Sequence, residues 1–488
     1  MKKLSSPKEE YYFQWGESQS GVISGVSVHY GKLSELIRSS NWGALLISEN
    51  RVTSTYVTRS FEKIAGEYSE CYLQPGFRKE FLAKSAAARA QAHELWENVR
   101  STDLSSASGD ELAEFLKRFH ERIFEITFYF YLSQAEFTET VRRELEKQLG
   151  KYFPPGQVPS AMAGLLAISE LDILKRGELD LIALALNGWD AKKLEAHSLE
   201  YAILFYNSYS KKTNFSFLET RLTQLKGLGE PELKLRRRKI LQEVEVAKRK
   251  QSQLLERIGD ARTRELALLL HDVGYDRLEL KNIWAGAEYR FLPLFQEISR
   301  RTEIPFNELM WVYRPEDMEK ALMEGRPLSR DEIRKRKQIY VHYYHDDGHE
   351  FYSGEEAKNL VEELVPAHFR KTSASEVRGV AVSPGVVRGI ARVVKVIGIE
   401  ELSKDLKQFK KGEVLITTMT QPNMVLLAEK ASAIVCNEGG ITSHAAVLSR
   451  EFKIPCVVGC EIATKAFETG DLIEVDANKG VVRKISRA

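Results

Sequence analysis

One histidine, His444, stands in a run whose residue types suit phosphoryl chemistry: Glu438-Gly439-Gly440-Ile441-Thr442-Ser443-His444, continued by Ala445-Ala446-Val447-Leu448-Ser449-Arg450. Gly439 and Gly440 allow positive φ and let the main chain come close to a ligand. A helix starting near Thr442 leaves its first N–H groups without intrahelical partners, and its dipole favours negative charge there. Thr442 or Ser443 can cap that helix and offer a hydroxyl to a phosphoryl oxygen, while the neutral imidazole of His444 keeps one ring nitrogen free as a nucleophile. Covalent capture of this kind splits one difficult transfer into two easier ones. The helical spacing of Ala445, Ala446, Leu448 and Phe452 predicts an apolar face packed on a sheet, which would hold the ring in place. By residue type alone, a histidine at a helix start is more often a cap or a surface group; its setting is what makes this one a candidate.

The whole run from Glu438 to Gly459, closed by Ile454-Pro455-Cys456-Val457-Val458-Gly459, resembles the signature of the phosphohistidine swivelling domain of phosphoenolpyruvate-utilising enzymes. Phosphoenolpyruvate synthase, pyruvate phosphate dikinase, Enzyme I of the sugar phosphotransferase system and rifampicin phosphotransferase carry such domains. Val380-Ala381-Val382-Ser383-Pro384-Gly385-Val386-Val387-Arg388-Gly389 looks like the family's opening strands. Leu415-Ile416-Thr417-Thr418-Met419-Thr420 looks like its middle strand, and Asp471–Asp476 with Gly480 like its closing hairpin. The resemblance implies that His444 receives the phosphoryl group on Nε2 and that Thr442 hydrogen-bonds to it. Ser443, Gly439 and Gly440 are then the further phosphate contacts. Family members differ between Cys and Ser at the position of Ser443, so this residue does not choose among subfamilies. Arg388 and Arg450 are candidates for neutralising the transferred charge, and surface salt bridges would explain both equally well. No residues are assigned to a metal.

The tail agrees from the bottom up. Short apolar runs at Val414–Thr417, Ala433–Cys436, Pro455–Val458 and Leu472–Val475 alternate with helical patterns at Pro422–Lys430 and Thr442–Phe452. That alternation predicts an α/β layer domain. Gly379–Val396, β-branched and interrupted by Pro384-Gly385, predicts twisted strands with a tight turn.

The expected fold is multidomain: a small strand-containing segment over residues 1–77, a mainly helical acceptor- or partner-binding domain over 78–365, a linker at 366–377, and an α/β swivelling domain over 378–488. β-like alternation runs through 21–60, and helical spacing recurs near 78–100, 109–149, 159–176, 190–209 and 229–271. From Ile240 through Val244, Ala247, Gln251, Leu254, Ile258 and Ala261, alternating steps predict the seam of a helix pair. Its basic residues alternate with acids, which suits a solvated face rather than nucleic acid. Ile339–Tyr344, Asp347-Gly348 and Glu350-Phe351-Tyr352 predict a hairpin whose His342 and His345 face opposite ways.

A net charge of +2, 43% hydrophobic and 29% charged residues describe an ordinary globular protein with sizeable cores. They point to no nucleic acid, and no segment suggests a membrane span or a leader, so the expected place is the cytoplasm. Cys71, Cys436, Cys456 and Cys460 are expected to be small buried hydrophobes in a reducing compartment.

In the enzymes it resembles, an ATP-grasp domain or a phosphoenolpyruvate-binding barrel charges the histidine, and each needs roughly 200 to 300 further residues. No Walker-type loop is present. The resemblance to split systems therefore implies a separate ATP-grasp or PEP-binding partner, which would hold ATP and Mg²⁺, or phosphoenolpyruvate, leaving this chain with no cofactor of its own. The function expected is a phosphotransferase component that passes a phosphoryl group from that partner to a small-molecule or protein acceptor held by the helical region. The competing expectation is a non-catalytic regulatory or scaffolding protein with a phosphorylatable histidine.

Overall fold

A computed structural model describes residues 11–19, 43–49, 52–58, 60, 66–205, 208–345, 348–366, 374–394, 399–440 and 443–487. Thr442, most of the 366–377 linker, residues 21–42 of the expected strand region and the turn residues Asp346 and Asp347 lie outside the described residues.

The N-terminal strands and the later hairpin share one antiparallel sheet of order β1-β3-β2-β4-β5, with β1 (Tyr11–Gln19), β2 (Gly43–Glu49), β3 (Val52–Thr58), β4 (Ile339–His345) and β5 (Gly348–Ser353). β4 and β5 belong in sequence to the mainly helical span, and β4 joins them to the first strands by pairing Leu45 with Tyr343 and Ile47 with Val341. Leu45, Ile47, Ile339, Val341 and Tyr343 then bury one face of the sheet against Ala357 and Leu360 of the helix Gly354–Leu364. β1 escapes a reading by alternation because its pairing with β3 slips twice, between Phe13 and Trp15 and between Gly16 and Ser18. Each slip inverts the in–out pattern on which such a reading depends.

Each segment that the periodicity marked is helical, but all except the first are broken, and the helices Lys211–Gly227, Leu292–Thr302, Phe306–Val312, Pro315–Glu324 and Arg330–Gln338 lie outside the segments read from the sequence. The 109–149 stretch divides into Gly109–Leu132 and Ala135–Leu149. Ser133 Oγ donates to Phe130 O at 2.5 Å, a local bond that competes with helix continuation. The 229–271 stretch divides into Glu230–Arg257 and a central helix Ala261–Arg290, the latter capped by Asp260, which accepts from Thr263 N at 2.7 Å. The expected seam therefore stops at Ile258, where the backbone turns extended, instead of running on to Ala261. Within it Val244 is buried, and Gln251 reaches across to donate to Leu165 O at 2.8 Å. Glu125 pairs with Arg122 at 3.1 Å, so this half-buried carboxylate is satisfied locally.

The tail holds an eight-stranded sheet of order β6-β13-β12-β8-β9-β10-β11-β7. Its strands are β6 (Glu376–Arg378), β7 (Val380–Ser383), β8 (Val386–Val393), β9 (Val414–Thr417), β10 (Ala433–Cys436), β11 (Cys456–Val458), β12 (Asp471–Asp476) and β13 (Val481–Arg487). β8, β9, β10 and β11 run parallel, and their buried residues alternate in destination. Val414, Ile416, Ala433, Val435 and Val457 face Phe467, Ile473 and Val475. Leu415, Ile434, Cys436, Cys456 and Val458 face Leu448 and, beyond the tail, Ile182, Leu218 and Leu222 of the helical region. The two units thus share an apolar cluster. Asn423 Nδ2 adds a bond to Leu204 O at 3.3 Å, and Arg221 pairs with Glu429 at 3.6 Å. Cys436, Cys456 and Cys460 are buried and their thiols are pushed up by burial, whereas Cys71 is exposed, contrary to expectation, because it lies in a short 3₁₀ turn that buries only Tyr72.

Candidate functional site

Parallel strands bring their carboxyl ends to one edge, the usual place for ligands in an α/β sheet. β9 delivers Thr418 and Thr420 there, and β10 delivers Asn437, Glu438 and the glycine pair. The crossing is fixed by main-chain bonds, Asn437 N to Thr417 O at 3.1 Å and Glu438 N to Thr418 O at 2.9 Å. Asn437 is clamped in turn, donating to Thr464 Oγ1 at 2.7 Å and accepting from Thr464 N at 3.0 Å.

Gly439 has φ +111°, a conformation that side chains other than glycine's rarely take, and a Cβ there would lie 2.9 Å from the Cβ of Ser443. This glycine lets the chain fold back onto the start of the helix His444–Phe452. Ser443 is the cap. Its Oγ accepts from Ala446 N at 3.3 Å, and Ser443 O accepts from Val447 N at 3.0 Å. His444 is therefore the first residue of the helix, with the unsatisfied amide end of the dipole at its own backbone. Ala445, Ala446 and Leu448 are buried as the apolar spacing required, and Phe452 is partly buried.

The ring itself is half-buried and held by a residue the sequence reading did not single out. Thr420 Oγ1 lies 2.9 Å from His444 Nδ1. When Nδ1–H donates to that hydroxyl, Nε2 keeps its lone pair and is the nucleophilic atom. Burial pushes the imidazole down to about 4, and the charge of Lys281 on the central helix adds to the effect, so the ring is neutral at physiological pH. Lys281 is itself lowered to about 8 by burial and by Arg277, while Glu438 acts in the opposite sense. Thr420 and Lys281 carry no local motif. Thr420 is one hydroxyl among many, and Lys281 lies on the central helix, far from His444 in the sequence.

The two candidate arginines lie elsewhere. Arg388 on β8 pairs with Glu474 of β12 at 2.8 Å and is largely exposed. Arg450 is exposed in the last turn of the helix that His444 begins, at the opposite end from the ring. Neither bears on the charge of the imidazole, whereas Lys281 does. His342 and His345 do fall on opposite faces of β4. His342 Nδ1 meets His349 Nε2 at 3.0 Å, and both rings are pushed down by burial.

Thr420→Val is expected to slow phosphoryl capture by His444 about five- to tenfold, the worth of one neutral hydrogen bond, while the fold persists. Rates of label incorporation check this, and an unchanged rate would remove Thr420 from the site.

Residues 409–480 match the family model described as PEP-utilising enzyme, mobile domain. Over those residues the tail is similar to the mobile domain of the PEP-utilising enzymes. A probable phosphoenolpyruvate synthase of Pyrococcus horikoshii is 41% identical over 144 residues, 29% of this chain and 17% of the relative. The phosphoenolpyruvate synthase of Pyrococcus furiosus is 44% identical over 127 residues, 26% of this chain and 15% of the relative. The phosphotransferase YvkC of Bacillus subtilis, itself described as uncharacterized, is 31% identical over 210 residues, 42% of this chain and 24% of the relative. The chain thus spans less than a quarter of the length of these curated relatives. Among the described residues, no helix is long and apolar enough to cross a membrane.

Proposed function

We propose that this chain is a phosphotransferase component that carries a phosphoryl group on His444 Nε2. A separate ATP-grasp or PEP-binding protein, holding Mg²⁺ and ATP or holding phosphoenolpyruvate, charges the ring in the cytoplasm. The tail then presents the phosphorylated ring to an acceptor at the helical region. The observation that carries this reading is a neutral imidazole at the first position of a helix, with Nδ1 engaged by Thr420 and Nε2 left as the reactive atom. The fold of the tail and its similarity to phosphoenolpyruvate synthases support it.

Phosphoryl transfer asks a protein mainly for positioning and charge neutralisation, which amide dipoles and a nearby lysine supply. The phosphorus is attacked by Nε2 as the bond to the donor breaks, and the Thr420 contact keeps the ring plane and tautomer constant through both half-reactions.

The test incubates the purified chain with candidate ATP-grasp partners and β- or γ-labelled ATP, and separately with labelled phosphoenolpyruvate and candidate PEP-binding partners. Acid-labile, alkali-stable label on the wild type and none on His444→Ala is the expected result. Label that survives in His444→Ala would defeat the reading.

A further inference from the structure

The side of the central helix away from Lys281 carries charged groups that the relay does not use. Glu279, Ile283 and Arg290 project about half a turn round the helix from Lys281. With the helices Phe77–Ser101 and Ile173–Asn187 they wall a cleft of about 280 Å³, close to the size at which small-molecule sites begin. Its walls carry charge of both signs. Asp276 pairs with Arg89 at 2.8 Å, and Glu279 pairs with Arg176 at 2.9 Å. Asp276 and Glu279 are three residues apart on the helix and so are neighbours on one face. Both pairs are incomplete. Arg89 Nε and Glu279 Oε1 are buried with no hydrogen-bond partner among the described residues. Arg290, only 5% exposed, gives its guanidinium to the main-chain carbonyls of Leu199, Asn282 and Glu200 and forms no ion pair among the described residues. Burial pulls it down to about 10, which leaves it charged at neutral pH. The cleft thus holds a cation that no carboxylate balances, an orphaned N–H and, within a turn of helix, an orphaned carboxylate oxygen. Buried polar groups left unpaired are costly, and a ligand that meets all three removes that cost. The cleft also shares His93, Ile283 and Arg290 with a void of about 10 Å³ walled by Trp96, Phe119 and Phe291, room for one small apolar group.

We propose that this cleft binds a small α-amino acid as its zwitterion. The ligand's carboxylate lies between Arg89 and Arg290, its ammonium donates to Glu279 Oε1, and its short side chain enters the void beside Trp96. A guanidinium suits a carboxylate because it offers paired N–H groups in one plane. The mixed signs disfavour simpler ligands. A bare anion would leave Glu279 Oε1 unpaired, and a bare amine would leave Arg290 unbalanced. Bound there, the amino acid ties together three helices that otherwise meet round an open cleft, so its occupancy stabilises the helical region by mass action.

The test titrates the full-length chain with L-alanine, propionate and ethylamine, read by calorimetry and by the thermal melting point. L-Alanine should bind saturably and raise the melting point, while propionate and ethylamine should each bind at least about tenfold more weakly. Glu279→Gln, which keeps the shape and removes the charge, should weaken L-alanine by a similar factor and leave propionate no weaker. Ala90→Leu adds bulk at an exposed position on the rim, where the fold tolerates it, and should abolish binding of L-alanine. Propionate that binds as tightly as L-alanine, or L-alanine that binds Glu279→Gln as it does wild type, overturns the zwitterion. No saturable binding of L-alanine up to about 10 mM, or equal binding to Ala90→Leu, overturns the site. None of these readings passes through His444, so the relay stands or falls separately.

Discussion

With His444 replaced by alanine, phosphoryl label is expected to vanish, a loss of at least about 10³-fold, because no other imidazole adjoins the site among the described residues to take over as nucleophile. Thr420 and Ser443 are hydroxyls already engaged, one with the ring and one as the helix cap. The pH dependence of wild-type capture gives a second view of the same ring. An ordinary imidazole is half protonated near 6.5, and a protonated ring has no lone pair to offer. His444 is held down to about 4, so capture should stay level from about pH 8 to pH 5 and fall by half only near pH 4. The sign for stability follows. Between 6.5 and 4 the unfolded chain binds a proton at this position and the folded chain does not, so stability falls as pH drops through that window. His120 and His349, also pushed to about 4 by burial, contribute in the same direction, and His444→Ala should remove one share of the acid sensitivity. Urea melts at pH 7 and pH 5 on both proteins measure it. A capture rate that halves at pH 6.5 would show that the ring is solvated and not in the site described.

Gly286→Val is expected to cost about 3 kcal/mol of stability and to loosen the tail from the helical region. A Cβ at this position would lie 2.2 Å from the Cβ of Ala202, so the central helix and the short 3₁₀ helix Ala202–Phe205 could not keep their approach. Helix propensity favours the substitution by only a few tenths of a kcal/mol, far too little to offset the overlap. The approach also aligns a set of polar bonds. Asn282 accepts from Ile203 N at 2.9 Å and donates to Glu200 O at 2.9 Å, while Arg290 donates to Leu199 O at 2.9 Å. Leu204 O, on the displaced segment, is the acceptor for Asn423 of the tail. The disturbance therefore reaches the site, and discharge of His444 should suffer while its charging does not. Denaturant melts together with separate charging and discharging rates check this, and a variant as stable as wild type would show that the two helices are not in contact here.

The central strands of the tail were legible because β9, β10 and β11 are short, apolar and buried along their whole length, so apolar runs mark them directly. Val414–Thr417 and Ala433–Cys436 form where those runs lie. The capping serine, the apolar helix face and the glycine turn before His444 are likewise local, each set within a few residues. Arg388 shows the limit. Strand position cannot say which cross-strand neighbour a long side chain meets, and Glu474 lies directly opposite it in the sheet. β1 was illegible for another reason, the two slips in its pairing. The seam beyond Ile258 failed because apolar spacing continues across a break that Asp260 imposes by capping a new helix.

What the sequence determined by itself was the candidate histidine and its immediate cradle, since glycine conformation, capping and a dipole's first turn act between near neighbours in the chain. What only the tertiary structure decided was the company the ring keeps. Thr420 arrives from an adjacent parallel strand, and Lys281 from a helix in the other unit, through contacts that depend on how two apolar surfaces meet. Burial sets the charge state of His444, and burial is a property of the assembled fold, which no short stretch of residues encodes.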